Sequence, residues 1–242
     1  MASESPLAAK TLKGAFIRLD ETAIGAVPQI IVFQYNPEAL TRKFKPYEKP
    51  ADKEGNVPDP SARATPYDPE EEMDIVIEFD ATDDLEHPER HPVTLVTGVA
   101  DRVAAVEMLM YPSDEVGLLS SAISSLAGAL GLGGGAEIPA SRETPVVLLS
   151  WGPGRIVPVK IASFSVEEQA FNPALYPIRA KVTVGIRVLT EDYFNTRTES
   201  KTLTPAETIA QAAYRFTLKQ KKLLASANVA NSVDSILSTL PF

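Results

Sequence analysis

The two histidines of the chain, His87 and His91, are the residues best suited to metal chemistry, and they lie four positions apart in EHPERHP. On a helix this spacing would place both imidazoles on one face, where Glu86 or Asp84 could add a carboxylate ligand. Two prolines interrupt that helical spacing, because proline breaks the ladder of backbone hydrogen bonds. We therefore interpret the segment as a solvated turn leading into a helix, and we expect no metal site and no cofactor.

Carboxylates are the second candidate for chemistry, since a spaced pair could serve as the acid and base of a glycosidase-like hydrolase. They occur mainly in two runs, at residues 70–72 and 83–84. Contiguous acidic runs beside prolines are typical of a solvated face. The chain has no cysteine, which excludes thiolate nucleophiles, zinc thiolates and disulfides, and it carries no nucleophile-elbow, P-loop or dinucleotide motif. We predict no catalytic residue and no enzymatic activity.

Two other features could bind a partner. Arg179, Lys181 and Arg187 share one face of a segment whose other face is apolar, so they must point to solvent, to a channel or to a partner. The simplest interpretation is an ordinary solvated strand face. Trp151 is the only tryptophan, and a tryptophan at a strand end is more often a core anchor than a ligand platform. The glycines at 131–135 lack the strand and lysine of a phosphate loop.

Composition limits the function classes further. The 242 residues carry a formal net charge of −9, so we expect no nucleic-acid binding by a basic face. No apolar run reaches the roughly 18 residues of a membrane span, so we expect no membrane insertion. The N-terminal segment lacks the basic and apolar pattern of a secretory signal, which favours assembly in the cytoplasm.

Hydrophobic alternation predicts six strands, at residues 15–20, 29–35, 73–80, 145–151, 155–166 and 178–190. The apolar run from Ile30 to Phe33 predicts a buried strand, and Gly25 is a suitable turn position before it. In the first strand we expect Phe16 on one face, and Ile17 and Leu19 on the other.

Two helices are predicted between and after these strands. One begins at Pro92 and ends before Pro112, with an apolar stripe that covers the sheet, formed by Leu95, Val99, Val103, Val106 and Met110. The other begins at the capping box Thr204 to Glu207 and runs to about residue 227.

The domain organisation follows from composition. Residues 1–11 are small and polar, and we predict a flexible arm. Residues 12–203 form one β domain, which includes a Pro-rich loop at 45–72 and a Ser/Ala/Gly-rich insertion at 113–144. Residues 204–242 form a C-terminal helix and tail.

An aromatic-Asn-Pro turn occurs twice beside predicted strands, at Asn36-Pro37 and at Asn172-Pro173. The first lies in IIVFQYNPEAL at 30–40, which follows KGAFIRLD at 13–20, and the second lies in PVKIASFSVEEQAFNPALYPIRAKVTVGIRVLT at 158–190. Together with the Pro-rich loop and the central helix in this order, these segments resemble the tube-type proteins of contractile injection systems, which are phage-tail-like particles. The resemblance covers about residues 12–225 and is greatest to the adaptor between inner tube and spike.

The resemblance implies a mainly β fold with α, namely a tail-tube-like split β-barrel or sandwich with one packed helix and a C-terminal helix. It implies a homo-oligomer, usually a hexameric ring with a central lumen, whose partners are inner-tube, spike and baseplate proteins. Relatives of the adaptor often carry a C-terminal peptidoglycan-binding module, whereas only a helix and tail follow Thr204 here. An inner-tube initiator or terminator ring therefore stays open, as do a carboxylate-based hydrolase and a monomeric β-sandwich that binds a carbohydrate or peptide.

Overall fold

The computed structural model describes residues 12–22, 25–47, 67–112, 144–200 and 202–237. These residues form a mainly β fold with several helices, built on one seven-stranded antiparallel sheet. The mainly β class with α, expected from the sequence, is confirmed. The predicted arm at 1–11 lies outside the described residues, as do nearly all of the insertion at 113–144 and residues 48–66 of the Pro-rich loop.

The sheet has the strand order β2-β1-β5-β6-β7-β4-β3. Its strands are β1 Ala15–Thr22, β2 Gly25–Val32, β3 Leu40–Lys45, β4 Glu70–Asp80, β5 Val146–Ser150, β6 Ile156–Phe171 and β7 Pro177–Val188. The helices are α1 Thr82–Leu85, α2 Pro92–Thr97, α3 Ala100–Glu107, α4 Glu191–Ser200 and α5 Pro205–Leu237.

Strict alternation explains the central strands. Along β7 every second side chain is buried, from Ala180 to Val188, while the intervening Arg179, Lys181 and Arg187 are exposed. β4 alternates in the same way, with Ile75, Ile77 and Phe79 buried. Because successive side chains of a strand point to opposite faces, both strands turn one apolar face to the core. The predicted facing of these two strands is confirmed.

β1 separates two apolar clusters, which confirms the predicted facing of Phe16 to one side and of Ile17 and Leu19 to the other. Phe16 belongs to the main core, with the buried residues of β4, β5, β7 and α3. Leu19 and the partly buried Ile17 face a second, smaller cluster, to which Phe194 of α4 and Ala206 and Ala210 of α5 contribute. The two helices therefore cover the side of β1 that faces away from the main core.

Gln34, just after the edge strand β2, bonds the end of β4. Its Oε1 accepts a hydrogen bond from the Asp80 backbone N–H at 3.0 Å, and its Nε2 donates to the Asp80 carbonyl at 2.7 Å. The side-chain amide thus bonds the end of β4 as a peptide group of a neighbouring strand would. Beside it, Phe33 is fully buried and packs edge-on against Phe16, with ring centroids 5.2 Å apart.

The prediction of a buried strand from Ile30 to Phe33 is wrong for half of its residues. Phe33 is fully buried, but Ile30 and Val32 are 62% and 53% exposed. β2 lies at the edge of the sheet and has one neighbouring strand, so its side chains have fewer neighbours than those of a central strand, and an apolar run cannot reveal that position. Gly25 is not a turn residue either, because it is the first residue of β2 and pairs with Thr22.

The predicted central helix is two helices. Gly98 separates α2 from α3 and adopts a φ of +57°, which favours glycine. A Cβ at this position would lie 2.1 Å from the Pro177 carbonyl oxygen, which instead accepts a hydrogen bond from the Val99 N–H at 2.8 Å. On the predicted stripe Val99, Val103 and Val106 are buried, whereas Leu95 is 55% exposed.

The structure differs from the sequence predictions at three further places. Both ends of the predicted loop at 45–72 are strands, since β3 ends at Lys45 and β4 begins at Glu70. α4 follows β7 and was not predicted. α5 continues to Leu237, ten residues beyond the predicted end. Its capping box is confirmed, because the Glu207 N–H bonds the Thr204 hydroxyl at 3.2 Å and the Glu207 carboxylate accepts from the Thr204 N–H at 2.9 Å.

Candidate functional site

The histidine segment does not assemble a metal site. The His91 Nδ1 lies 3.8 Å from an Asp84 carboxylate oxygen, and the His87 Nδ1 lies 3.8 Å from Glu89, with all four side chains at or near the surface. Asp84 is also bound by the Arg102 guanidinium. Within the described residues, no group of three or more His, Cys, Asp or Glu could hold a metal ion.

The predicted basic row lies on a charged face of the sheet, which we call the outer face. It is the side of β3, β4, β7 and β6 from Lys160 onward that points away from the main core. This face carries six basic and six acidic side chains: Lys43, Lys45, Lys160, Arg179, Lys181 and Arg187, with Glu70, Glu72, Asp74, Glu78, Asp80 and Glu167. Most of the basic residues lie opposite an acidic one, but Lys160 lies opposite Arg187. The row is therefore part of a charge-balanced surface.

Several of these charges pair across strands. Arg187 bonds Glu72 at 2.9 Å, Arg179 bonds Asp80 at 2.8 Å, and Lys43 bonds Asp74 at 2.8 Å. Exposed pairs of this kind contribute only about 0–1 kcal/mol each. The outer face is thus an exposed, polar surface with little net charge.

The two edge strands of the sheet, unlike the charged outer face, expose apolar side chains. In the described part of the chain, β2 and β3 each pair with a single strand and leave one edge open. β2 exposes Ile30 and Val32, and β3 exposes Phe44, which is 49% accessible. Soluble proteins usually protect such edges with charges, prolines or covering segments, because an open apolar edge recruits another strand.

A groove of about 580 Å³ lies between β3, the β5–β6 turn and α5. Its floor carries Glu71, which is only 4% exposed although the sequence predicted a solvated acidic run. One Glu71 oxygen accepts a bond from Arg42 at 2.6 Å, and the other accepts from Lys221 of α5 at 2.8 Å. Such burial is tolerated because both oxygens are paired.

A third cation, Arg155, stands at the same groove with no ion-pair partner among the described residues. Burial lowers the pKa of the Arg155 guanidinium, and the neighbouring charge of Arg42 lowers it further, while Glu71 opposes both. Arg155 remains protonated because an arginine pKa starts far above neutrality. The groove therefore holds a positive charge that its own carboxylates do not bond.

The second carboxylate of the groove, Asp68, is also engaged. It accepts a hydrogen bond from the Tyr214 hydroxyl at 2.8 Å. Burial raises the pKa of Tyr214, and the bond to Asp68 raises it further, so the phenol stays protonated at physiological pH. Tyr214 is 8% exposed and belongs to the main core, so this bond also joins α5 to the segment just before β4.

Aromatic and apolar side chains form the walls of the groove. Arg42 lies 4.8 Å from the centroid of the Phe44 ring, and Lys221 lies 5.5 Å from it. Trp151 and Leu224 complete the walls, and Leu224 is 69% exposed. Sequence reasoning missed this site, because its members come from positions as far apart as Glu71 and Lys221 and no local motif joins them.

No protein-family model matches this chain, and no curated protein is significantly similar to it in sequence. Among the described residues, no helix has both the length and the apolar character needed to cross a bilayer.

Proposed function

We propose that this chain is a structural, ring-forming component of a contractile injection particle, where it joins the inner tube to the spike and baseplate. In this proposal it is not an enzyme, it assembles in the cytoplasm as a homo-oligomer, usually a hexamer, and it adopts the tail-tube type of β fold. Its partners are inner-tube, spike and baseplate proteins, with no nucleic acid, no cofactor and no membrane insertion.

The observation that carries the proposal is the pair of open edges at opposite ends of one sheet. β2 of one copy can add to β3 of the next, and because these are different surfaces the contact is head-to-tail. Head-to-tail contacts close into a ring when the rotation per subunit allows it. The exposed Ile30 and Val32 would become buried in that contact.

The outer face supports the same proposal. It is polar, charge-balanced and uncovered over β3, β4 and β7. In a ring whose strands continue from copy to copy, such a face can line a water-filled lumen without binding what passes through it. The same arrangement fits an adaptor ring and an initiator or terminator ring, which differ in their neighbours along the particle.

Cysteine cross-linking tests the edge contact directly, because the chain contains no cysteine of its own. We expect a double variant with one cysteine on β2 and one on β3, Ile30→Cys with Lys43→Cys, to form a ladder of covalent oligomers under mild oxidation. A matched pair, Ile30→Cys with Glu167→Cys, places the second thiol on the central strand β6 and should give no ladder. Shifting the β3 cysteine to Thr41 or Lys45 covers the alternative registers.

A second measurement separates folding from assembly. Val32→Lys puts a charge on the exposed side of β2, where it should leave monomer unfolding unchanged and abolish rings seen by mass photometry. In assembled particles, native mass of the baseplate should give six copies next to the spike. A protein that stays monomeric at high concentration and does not join tube proteins would refute the proposal.

A further inference from the structure

The groove between β3, the β5–β6 turn and α5 has a charge arrangement that the ring proposal does not use. Three cations, Arg42, Arg155 and Lys221, face two carboxylates, Asp68 and Glu71. Both Glu71 oxygens are bonded by Arg42 and Lys221, and Asp68 accepts the Tyr214 hydroxyl. Arg155 is left with its donors free toward the groove, as judged from the residues that the structure describes.

We propose that this groove binds an acidic peptide segment of a partner protein, with a carboxylate of the segment bonded to Arg155. Arginine presents a planar fork of donors that matches a carboxylate with two parallel hydrogen bonds. The half-buried setting of Arg155 strengthens such a bond relative to one at an exposed site, because water screens it less.

The walls select a peptide rather than a small inorganic anion. Phe44 and Leu224 are exposed and apolar, and Trp151 stands beside Arg155 at the β5–β6 turn. A volume of about 580 Å³ accommodates a few residues, so apolar neighbours of the acidic residue can pack on these walls while its carboxylate reaches the cation.

The carboxylates of the groove select against nucleic acid. Glu71 and Asp68 reduce three positive charges to a single net one, and the whole chain carries −9. A phosphate backbone carries a charge at every nucleotide and would be repelled by both, whereas one carboxylate flanked by apolar side chains matches the single uncompensated cation.

Trp151 provides the readout, because it is the only tryptophan of the chain and lines the groove. The probe is a blocked pentapeptide with one glutamate among leucine and phenylalanine residues, and its control is the same peptide with glutamine. We expect a saturable change in tryptophan emission with the glutamate peptide and at least tenfold weaker binding of the glutamine peptide, the loss that follows from one charge-assisted hydrogen bond.

Arg155→Gln should weaken the glutamate peptide about tenfold, and Arg155→Lys should restore part of the affinity. Lys181→Gln removes one cation from the outer face and should leave binding unchanged. Leu224→Ala, at a position that is 69% exposed, tests the apolar wall without touching a charge and should weaken both peptides alike. Thermal unfolding of each variant verifies that it is folded.

Several results would overturn the proposal. These are equal binding of the two peptides, an equal loss in Lys181→Gln, no saturation at millimolar peptide, or a single-stranded oligonucleotide that outcompetes the peptide. A monomeric protein that binds the peptide as expected would leave this proposal intact while refuting the ring, so the two can fail separately.

Discussion

The two Asn-Pro turns share a local sequence but do different work in the fold. In the first, the Asn36 side chain reaches far along the chain, since its Oδ1 accepts from the Gly14 N–H at 2.8 Å and its Nδ2 donates to the Leu12 carbonyl at 2.7 Å. In the second, Asn172 Oδ1 accepts from the nearby N–H groups of Ala174 and Tyr176, at 2.9 and 3.0 Å, while its Nδ2 donates to the Val96 carbonyl of α2 at 3.0 Å.

The second turn is therefore bonded to its own backbone and to α2, whereas the first turn holds together the start of β1 and the end of β2. The aromatic residue before each asparagine is exposed in both turns, with Tyr35 at 47% and Phe171 at 51%. The two turns differ two residues before this exposed aromatic residue, where Phe33 is fully buried in the first turn and Gln169 is exposed in the second. One buried ring thus distinguishes a core anchor from a hairpin tip.

Truncation of Phe33 should give the largest effect on this comparison. Phe33→Ala removes a fully buried ring that packs on Phe16 and Trp151, and we expect a loss of about 3–5 kcal/mol in the free energy of unfolding. Tyr35→Ala and Phe171→Ala are the matched controls, and each should change stability by no more than about 0.5 kcal/mol. Urea denaturation measures all three, and an unchanged midpoint for Phe33→Ala would contradict the anchor role.

The asparagines should give a smaller, local difference. Asn36→Ala and Asn172→Ala each remove side-chain bonds to backbone groups, and we expect a loss of about 1–2 kcal/mol for each. Amide hydrogen exchange distinguishes them. Asn36→Ala should expose the Gly14 N–H, 22 positions away, because Asn36 accepts from it. Asn172→Ala should expose the neighbouring Ala174 and Tyr176 N–H groups, because the distant partner of Asn172, the Val96 carbonyl, carries no exchanging hydrogen. If both variants loosened only their own turns, the long-range role of Asn36 would be wrong.

The smallest expected effect is a difference in acid sensitivity near the first turn. Burial alone would raise the pKa of Asp80, but hydrogen bonds from Thr82 and the nearby Arg179 outweigh it and hold this pKa below its ordinary value of 3.8. A carboxyl with a lowered folded-state pKa contributes stability above 3.8, and that contribution is lost as the pH falls through the folded-state pKa.

Asp80→Asn should therefore flatten the acid side of the curve of unfolding free energy against pH. It should remove at most about 1 kcal/mol of the pH-dependent stability, since Arg179 is largely exposed. Urea titrations at several pH values measure the change, and Asp83→Asn, at an exposed position of α1, is the control. An equal flattening by both variants would show that Asp80 has no special role.

The sequence predicted features that depend on neighbours in the chain. The alternation of β4 and β7, the two faces of β1 and the capping box of α5 all follow from local spacing. The sequence could not predict features that depend on distant partners. Glu71 is buried because Arg42 and Lys221 bond it, and Lys221 is 150 positions away. Gly98 interrupts a helical pattern because the Pro177 carbonyl occupies the space for a Cβ.

The tail-tube resemblance, the ring and the groove ligand remain predictions of different origin. The first two come from segments such as those around Asn36 and Asn172, whereas the groove exists because residues of α5 lie near those of β3 in the fold. Open sheet edges likewise cannot be read from an apolar run, as Ile30 and Val32 illustrate.

The length of α5 has a consequence for the cooperativity of unfolding. The helix buries a stripe of side chains, Ala206, Ala210, Tyr214 and Thr217, yet each residue from 222 to 229 is exposed. Short helical stretches without tertiary packing are marginally stable in water. Amides near Tyr214 should therefore exchange only when the sheet itself unfolds, and those near Leu223 and Val229 should exchange through local opening. A single helix thus contains two units of stability, and a partner that covered Leu223 and Val229 would merge them into one.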